Sequence, residues 1–204
     1  MNAPFARRIA SICLFCGANV GTRAAYAGAA RELGAKLARD RITLVYGGGR
    51  VGLMGLAANA ALAAGGEVTG VITHELVAGE IGHAALTQMH VVETMHARKM
   101  MMAELSDAFV VLPGGFGTFD EFCEMLTWDQ LGIHAKPVVL VNVEGFFDAF
   151  LAQLDRALAD RLLTPGNRAM LSVAPDVQAA LDATRTWQPP PAAPRWFRDE
   201  VPSP

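Results

Sequence analysis

Residues 108–112 (Ala-Phe-Val-Val-Leu) run without a polar break into Pro113-Gly114-Gly115-Phe116-Gly117-Thr118, and a helical pattern follows at once. A strand that is apolar at every position is buried on both faces. Such a strand, passing through glycines into a helix, is one half of a βαβ unit. The same pattern recurs along the chain. Residues 9–15, 42–46, 68–73, 89–92 and 138–143 are short runs rich in Val, Ile, Leu or aromatics, bounded by Gly or Pro. Helical stretches lie between them: 23–39, with Tyr26, Ala30, Leu33 and Leu37 on one stripe, then 98–105 and 118–131. A weaker last unit places a strand at 170–173 and a helix at 177–186. The fold class expected is α/β, an open parallel sheet with helices on both faces.

One domain is expected over residues 1–187. A tail over 188–204 carries Pro189, Pro190, Pro191, Pro194, Pro202 and Pro204, so it is expected to be extended rather than helical. Apolar residues make up 52% of the chain and charged residues 18%, which excludes a disordered or fibrous protein. A net charge of -3 argues against a nucleic-acid partner. Cys13, Cys16 and Cys123 are too few for a disulfide framework, which points to a reducing, cytoplasmic setting. No apolar run approaches the roughly eighteen residues of a membrane span, so no membrane partner is expected. Arg7-Arg8 followed by the apolar run 9–16 imitates a secretory leader. It is read here as a first strand behind two solvated arginines, because the run is short and ends in Cys16-Gly17-Ala18-Asn19.

Ligands of open parallel sheets sit beyond the carboxyl ends of the strands. The segment Pro113 to Glu121 lies at such an end. Glycines let backbone N–H groups approach a ligand with no Cβ in the way, and a helix N-terminus adds unpaired donors and the positive end of its dipole. A phosphate fits there, although the Gly-Lys-Ser/Thr ending of a Walker loop is absent. Thr118 and Glu121 also satisfy the T-x-x-E capping box, in which both would serve only the helix start. Spacing alone leaves both readings open for Glu121. The second loop, Tyr46-Gly-Gly-Gly-Arg-Val-Gly-Leu-Met-Gly55, satisfies G-x-G-x-x-G through Gly47, Gly49 and Gly52. It follows the second strand, and Thr73, His74 and Glu75 offer only a loose acidic partner. Close helix–strand packing, with the turn lining the site, is the reading preferred over a dinucleotide fingerprint.

Arg98 and Lys99 open a helix, where cations are electrostatically misplaced unless they serve an anion. Glu80 stands in the stretch 74–87, read as lacking regular structure and able to reach the mouth of the site. Cys13 and Cys16, three apart in a strand, face opposite sides and are read as buried thiols. His74, His83, His90 and His134 show no zinc-like spacing, and His96 is assigned nothing. No metal or other cofactor is expected.

Tyr46 to Gly55, Met95-His-Ala-Arg-Lys99 and Pro113-Gly-Gly-Phe-Gly-Thr-Phe-Asp-Glu121 together resemble the LOG ("Lonely Guy") family of cytokinin riboside 5′-monophosphate phosphoribohydrolases. Further matches are Cys16-Gly17, Glu80, His83 and Thr127-Trp-Asp-Gln-Leu-Gly-Ile-His134, and the resemblance spans about residues 9–171. It implies a Rossmann-like homodimer whose partner is a small nucleotide. It would cleave the N-glycosidic bond of an N6-substituted adenosine 5′-monophosphate to free base and ribose 5-phosphate. By match of position, Arg98 and Glu121 would be the catalytic pair. Glu80, Lys99, Gly114, Gly115, Phe116, Gly117, Thr118 and Thr127 would bind the substrate. Relatives also carry a lysine decarboxylase label, for which Lys36, Lys99 and Lys136 are the Schiff-base candidates, Lys99 alone at a plausible place. The chain departs from the family pattern at His74, Thr94 and Ala97, where Pro, Asp and Glu or Gln are usual.

The chemistry suits a carboxylate, since breaking C1′–N develops positive charge on the ribose. Arg98 could grip phosphate in a bidentate fork and position Glu121. Two other classes stay open from the residues: an NAD(P)-binding oxidoreductase and a non-catalytic nucleotide-binding protein.

Overall fold

The computed structural model describes residues 8–78 and 82–190. Seven strands form one sheet: β1 (Ser11–Phe15), β2 (Thr43–Tyr46), β3 (Val68–Thr73), β4 (Gln88–Val92), β5 (Ala108–Val111), β6 (Val138–Val141) and β7 (Leu171–Ala174). Their order is β4-β3-β2-β1-β5-β6-β7, and every pairing is parallel. The α/β architecture read from the sequence is the one observed. The run that imitates a secretory leader supplies β1, the strand paired on one side with β2 and on the other with β5.

Helices cover both faces: α1 (Ala24–Arg39), α2 (Gly52–Ala63), α3 (His74–Ala78), α4 (Met95–Glu104), α5 (Phe116–Leu131), α6 (Asp148–Ala159), α7 (Pro165–Arg168) and α8 (Val177–Thr186). Strand alternation divides the core in two. Ile12, Leu14, Leu44 and Tyr46 pack with α1, α2 and α8. Cys13, Phe15, Phe109 and Val111 pack with α4, α5 and α6 on the opposite face. Cys13 and Cys16 therefore fall in different clusters, as a period of two requires, and all three cysteines are free thiols. On the first face α1 and α2 touch so closely that a Cβ on Gly34 would stand 2.1 Å from the carbonyl oxygen of Ala57. On the second, Phe122 of α5 is fully buried among Phe119, Phe147 and Phe150. Burying such a ring contributes roughly 1.5–3 kcal/mol, and it fixes the roll of α5 about its axis. That roll determines where Glu121, the preceding residue, points.

Several boundaries differ from the sequence reading, each for a local reason. Helix α4 begins at Met95, three residues early, because Thr94 is its N-cap and Thr94 Oγ1 accepts from Ala97 N–H at 3.1 Å. Helix α5 begins at Phe116 rather than at Thr118, with Gly115 as an N-cap that offers no side chain. Part of the stretch expected to be irregular is the single-turn helix α3. Helices α2, α6 and α7 have no counterpart among the helical stretches read from the sequence. Residues 191–204 of the Pro-rich tail lie outside the described residues.

The chain steps from β1 outward through β2 and β3 to β4, then returns to the other side of β1 as β5. Loops that leave β1 and β5 diverge at that reversal and open a crevice between them.

Candidate active site

The crevice is a cavity of about 560 Å³. The loop after β1 forms its floor and is gripped from both sides: Gly17 N–H donates to Pro113 O at 3.0 Å, and Leu53 N–H donates to Gly17 O at 3.0 Å. Gly114, Gly115, Phe116, Gly117, Thr118 and Glu121 line one wall, and Gly47, Gly49 and Arg98 another. Apolar side chains complete it, with Tyr26, Met54, Leu76 and Phe146 among them.

The glycines do different jobs. A Cβ on Gly47 would stand 1.8 Å from Arg98 Nη2, and one on Gly114 would stand 2.0 Å from Thr118 Oγ1. Gly52 has φ +63, and its Cβ would lie 2.2 Å from the carbonyl carbon of Ala18. These positions are glycine because protein fills the space. The tight G-x-G-x-x-G turn is thus explained by packing, with the loop lining the cavity, and none of Thr73, His74 or Glu75 joins the lining. Gly115 and Gly117 differ: a Cβ at either meets nothing within 4 Å. They leave open space at the N-terminus of α5, where the first-turn N–H groups and the helix dipole favour an anion.

Arg98 and Glu121 meet across the cavity. Arg98 is only 7% exposed. Its Nε donates to Val71 O at 2.9 Å and its Nη2 to Gly47 O at 3.1 Å, which ties α4 to β3 and to the glycine loop after β2. Its Nη1 lies 3.8 Å from Glu121 Oε1. Nε and one Nη2 hydrogen are committed to carbonyls, and Nη1 also reaches Met95 Sδ at 3.7 Å, so the guanidinium is held in place with donors on Nη1 and Nη2 still available to a ligand. It presents a fixed positive charge to Glu121. Burial pushes the Glu121 carboxyl up to about 7, an effect that Arg98 partly offsets. The T-x-x-E capping box is not made, since Thr118 is the third residue of α5 and Glu121 the sixth, beyond reach of the helix start.

Of the other residues singled out, Gly114 to Thr118 line the cavity, and Phe116 stands at it 97% exposed. Lys99 is not in the lining: its Nζ sits 3.0 Å from Asp120 Oδ2 and 3.0 Å from Glu124 Oε2. Nor is Thr127, whose hydroxyl donates to Cys123 O one turn back in α5 at 2.8 Å. Glu80 lies outside the described residues. His83 was noted without a role. It is buried, its Nδ1 accepts from Ala85 N–H at 3.2 Å, so Nε2 carries the proton to Asn59 Oδ1 at 3.0 Å. Its backbone N–H donates to Gly48 O at 2.9 Å, which ties the chain at His83 to the loop after β2. No signal in the sequence marked Asn59 as its partner. No group of three or more metal-ligating side chains occurs among the described residues, and no described helix is long and apolar enough to cross a membrane.

A family model described as "Possible lysine decarboxylase" matches residues 54–184. The cytokinin riboside 5′-monophosphate phosphoribohydrolase of Rhodococcoides fascians is 46% identical over 177 residues, 86% of this chain and 89% of that protein. The chain belongs to this phosphoribohydrolase family. The phosphoribohydrolase of the same name from Arabidopsis thaliana is 43% identical over 178 residues, 87% of this chain and 84% of that protein. Among solved structures, the molybdenum cofactor binding protein of the phototrophic bacterium Rippkaea orientalis matches with a TM-score of 0.66. That match covers 86% of this chain and 94% of the other at 22% identity, a likeness of fold.

The lysine decarboxylase description of the phosphoribohydrolase family finds no support in the cavity, where no lysine lines the wall. Lys36 donates to Gln178 Oε1 and Lys136 to Ala103 O, each at 2.7 Å. Burial opposes the charge of Lys99, but hydrogen bonds and charges from Asp120 and Glu124 outweigh it and hold the ammonium above the ordinary lysine value. A Schiff-base lysine needs the reverse. Two departures from the family pattern are also explained. Thr94 caps α4, a duty that Thr and Asp share, and Ala97 leaves out the reciprocal half of that cap.

Proposed function

We propose that the protein hydrolyses the N-glycosidic bond of adenosine 5′-monophosphates bearing an N6 substituent, releasing free base and ribose 5-phosphate. The observation that carries this reading is the pairing of a buried carboxyl, Glu121, with a fixed guanidinium, Arg98, one helical turn from an open anion site at Gly115 and Gly117. Phosphate bound at the start of α5 would hold C1′ near Glu121. As the C1′–N bond breaks, positive charge grows on the ribose, and the Glu121 carboxylate stabilises it more in the transition state than before. Water adds its hydroxyl to C1′, and the departing base leaves with a proton. Arg98 supports the ionised form of Glu121 against its burial. The relatives' names support the same substrate class.

The protein is proposed to work as a homodimer in a reducing, cytoplasmic setting. Exposed Met95 and Met100 on α4 and Leu131 and Ile133 at the end of α5 give apolar surface for a second copy. These two helices are neighbours, bridged by Lys99 and by the edge-on contact of His96 with Trp128. Free thiols suit the compartment. A dinucleotide-dependent oxidoreductase is not favoured, since Arg98 fills the space at Gly47 of the G-x-G-x-x-G loop and the loop lacks its acidic partner.

The test is incubation with AMP, N6-isopentenyl-AMP and adenosine, following free base. Both nucleotides should be cleaved and the nucleoside hardly at all. Comparable kcat/KM for adenosine and AMP removes the basis for a phosphate-anchored mechanism, and no base from any of them leaves only a binding protein.

A further inference from the structure

Arg98 and Lys99 are adjacent on α4, and successive helical residues point about 100° apart, so the two side chains leave the helix in different directions. Arg98 turns into the cavity. Lys99 turns to α5, where its Nζ sits 3.0 Å from both Asp120 Oδ2 and Glu124 Oε2 with the side chain 12% exposed. Asp120 and Glu124 are one turn apart on the same face of α5, a spacing at which like charges repel. Glu121 lies between them in sequence, which puts three carboxyl groups within five residues. One cation bridges the outer two.

We propose that Lys99 is a positioning residue that acts through Glu121: it neutralises Asp120 and Glu124 and holds this acidic turn of α5 against α4, with Glu121 facing Arg98. This rests on the reading of Glu121 as the reacting carboxylate. The groups facing Glu121 are Arg98 and Lys99 from α4, Asp120 and Glu124 from its own helix, and the thiols of Cys13 and Cys16 from β1 and the loop after it. After burial, which pushes Glu121 up, Arg98 pulls it down, Asp120 pushes it up, Lys99 pulls it down and Glu124 pushes it up. Without Lys99, the negative charges of Asp120 and Glu124 act on Glu121 uncompensated. The carboxyl then holds its proton to higher pH, and less of the protein carries the carboxylate at neutrality.

The experiment titrates the side-chain carboxyl of Glu121 by ¹³C NMR, assigned by its loss in Glu121→Gln, and measures the pH dependence of kcat/KM for AMP in the same proteins. In Lys99→Met both the titration midpoint and the acid limb of the rate should move up by about half a pH unit or more, the scale of one unit charge acting through a partly wet medium. Lys99→Arg should stay near wild type. Adding Asp120→Asn and Glu124→Gln to Lys99→Met should bring both readouts back, because the charges that Lys99 answers are gone. The AMP dissociation constant should change less than about twofold throughout.

An unmoved midpoint in Lys99→Met, or a triple variant that fails to restore it, overturns the proposal. A raised AMP dissociation constant with an unmoved midpoint makes Lys99 a substrate ligand instead. If Lys99→Met does not fold, Asp120→Asn carries the same test with opposite sign, and a midpoint that does not fall overturns the proposal. A midpoint that moves as expected while the rate ignores it leaves the link from Lys99 to Glu121 standing and removes Glu121 from the chemistry.

Discussion

Replacing Glu121 with Gln should make the protein more stable and nearly inactive, and the gain in stability should depend on pH. The Glu121 carboxyl sits at about 7 in the folded protein against an ordinary 4.5, chiefly because burial disfavours its charge. An acid whose folded value lies above its unfolded one binds more protons in the native state between the two. Stability from this group is therefore fully present below about pH 4.5 and is lost as pH rises through about 7. The gap from 4.5 to about 7 amounts to about 3 kcal/mol of lost stability at pH 8. Gln keeps the shape and helix propensity of Glu and does not ionise. Glu121→Gln should thus unfold little differently from wild type at pH 5 and roughly 6–12 °C higher at pH 8, at about 2–4 °C per kcal/mol for a chain of this size.

The same substitution should cost roughly 10²-fold or more in kcat for base release, since the neutral amide cannot answer the charge developing on the ribose. AMP binding should persist, because the start of α5 is untouched. The assays are thermal unfolding of both proteins from pH 5 to pH 8 and single-turnover release of base from AMP. Parallel unfolding curves across that range would show that Glu121 is not buried as a costly charge. Near-wild-type turnover by a stable variant would refute its catalytic role.

Other consequences can be checked separately. Gly115→Ala should leave unfolding nearly unchanged yet weaken AMP binding tenfold or more, on the order of 1.4 kcal/mol, because its Cβ enters open space at the anion site; Gly114→Ala should destabilise, because its Cβ meets Thr118. Equal effects of the two on binding and stability would contradict this division. Thr94→Ala removes the only side-chain cap on α4 and should lower stability by about 1 kcal/mol in chemical denaturation. Sedimentation at micromolar concentration should show a species of twice the 21.7 kDa chain mass, and a monomer would count against the homodimer.

The sheet was legible because its strands are apolar throughout and end on glycine, so burial and topology left their mark on composition. Helix α6 was legible in principle and went unread: Phe150, Leu151 and Leu154 pack on the core at helical spacing. The starts of α4 and α5 were misplaced for another reason. A T-x-x-E pattern and a cation pair are strong local signals, yet Thr94 and Gly115 cap those helices earlier. The choice depends on which backbone N–H groups remain exposed once loops dock, and that is a tertiary matter.

The candidate site shows the same limit more sharply, because one residue type answers two physical demands. Glycine is required where a ligand approaches backbone and equally where another side chain does. The sequence marks Gly47, Gly114, Gly115 and Gly117 alike. In the folded chain the first two make room for Arg98 and Thr118, and the last two leave room for something not part of the chain. The room at Gly47 is what allows Arg98 to reach the carbonyls of Val71 and Gly47 with its remaining charge directed at Glu121. A packing glycine therefore sets the electrostatics of the acid, and open glycines set where the anion rests. A buried carboxyl near neutrality one helical turn from an anion site is a costly arrangement for a fold to hold, and a reaction that develops positive charge between the two is what it fits.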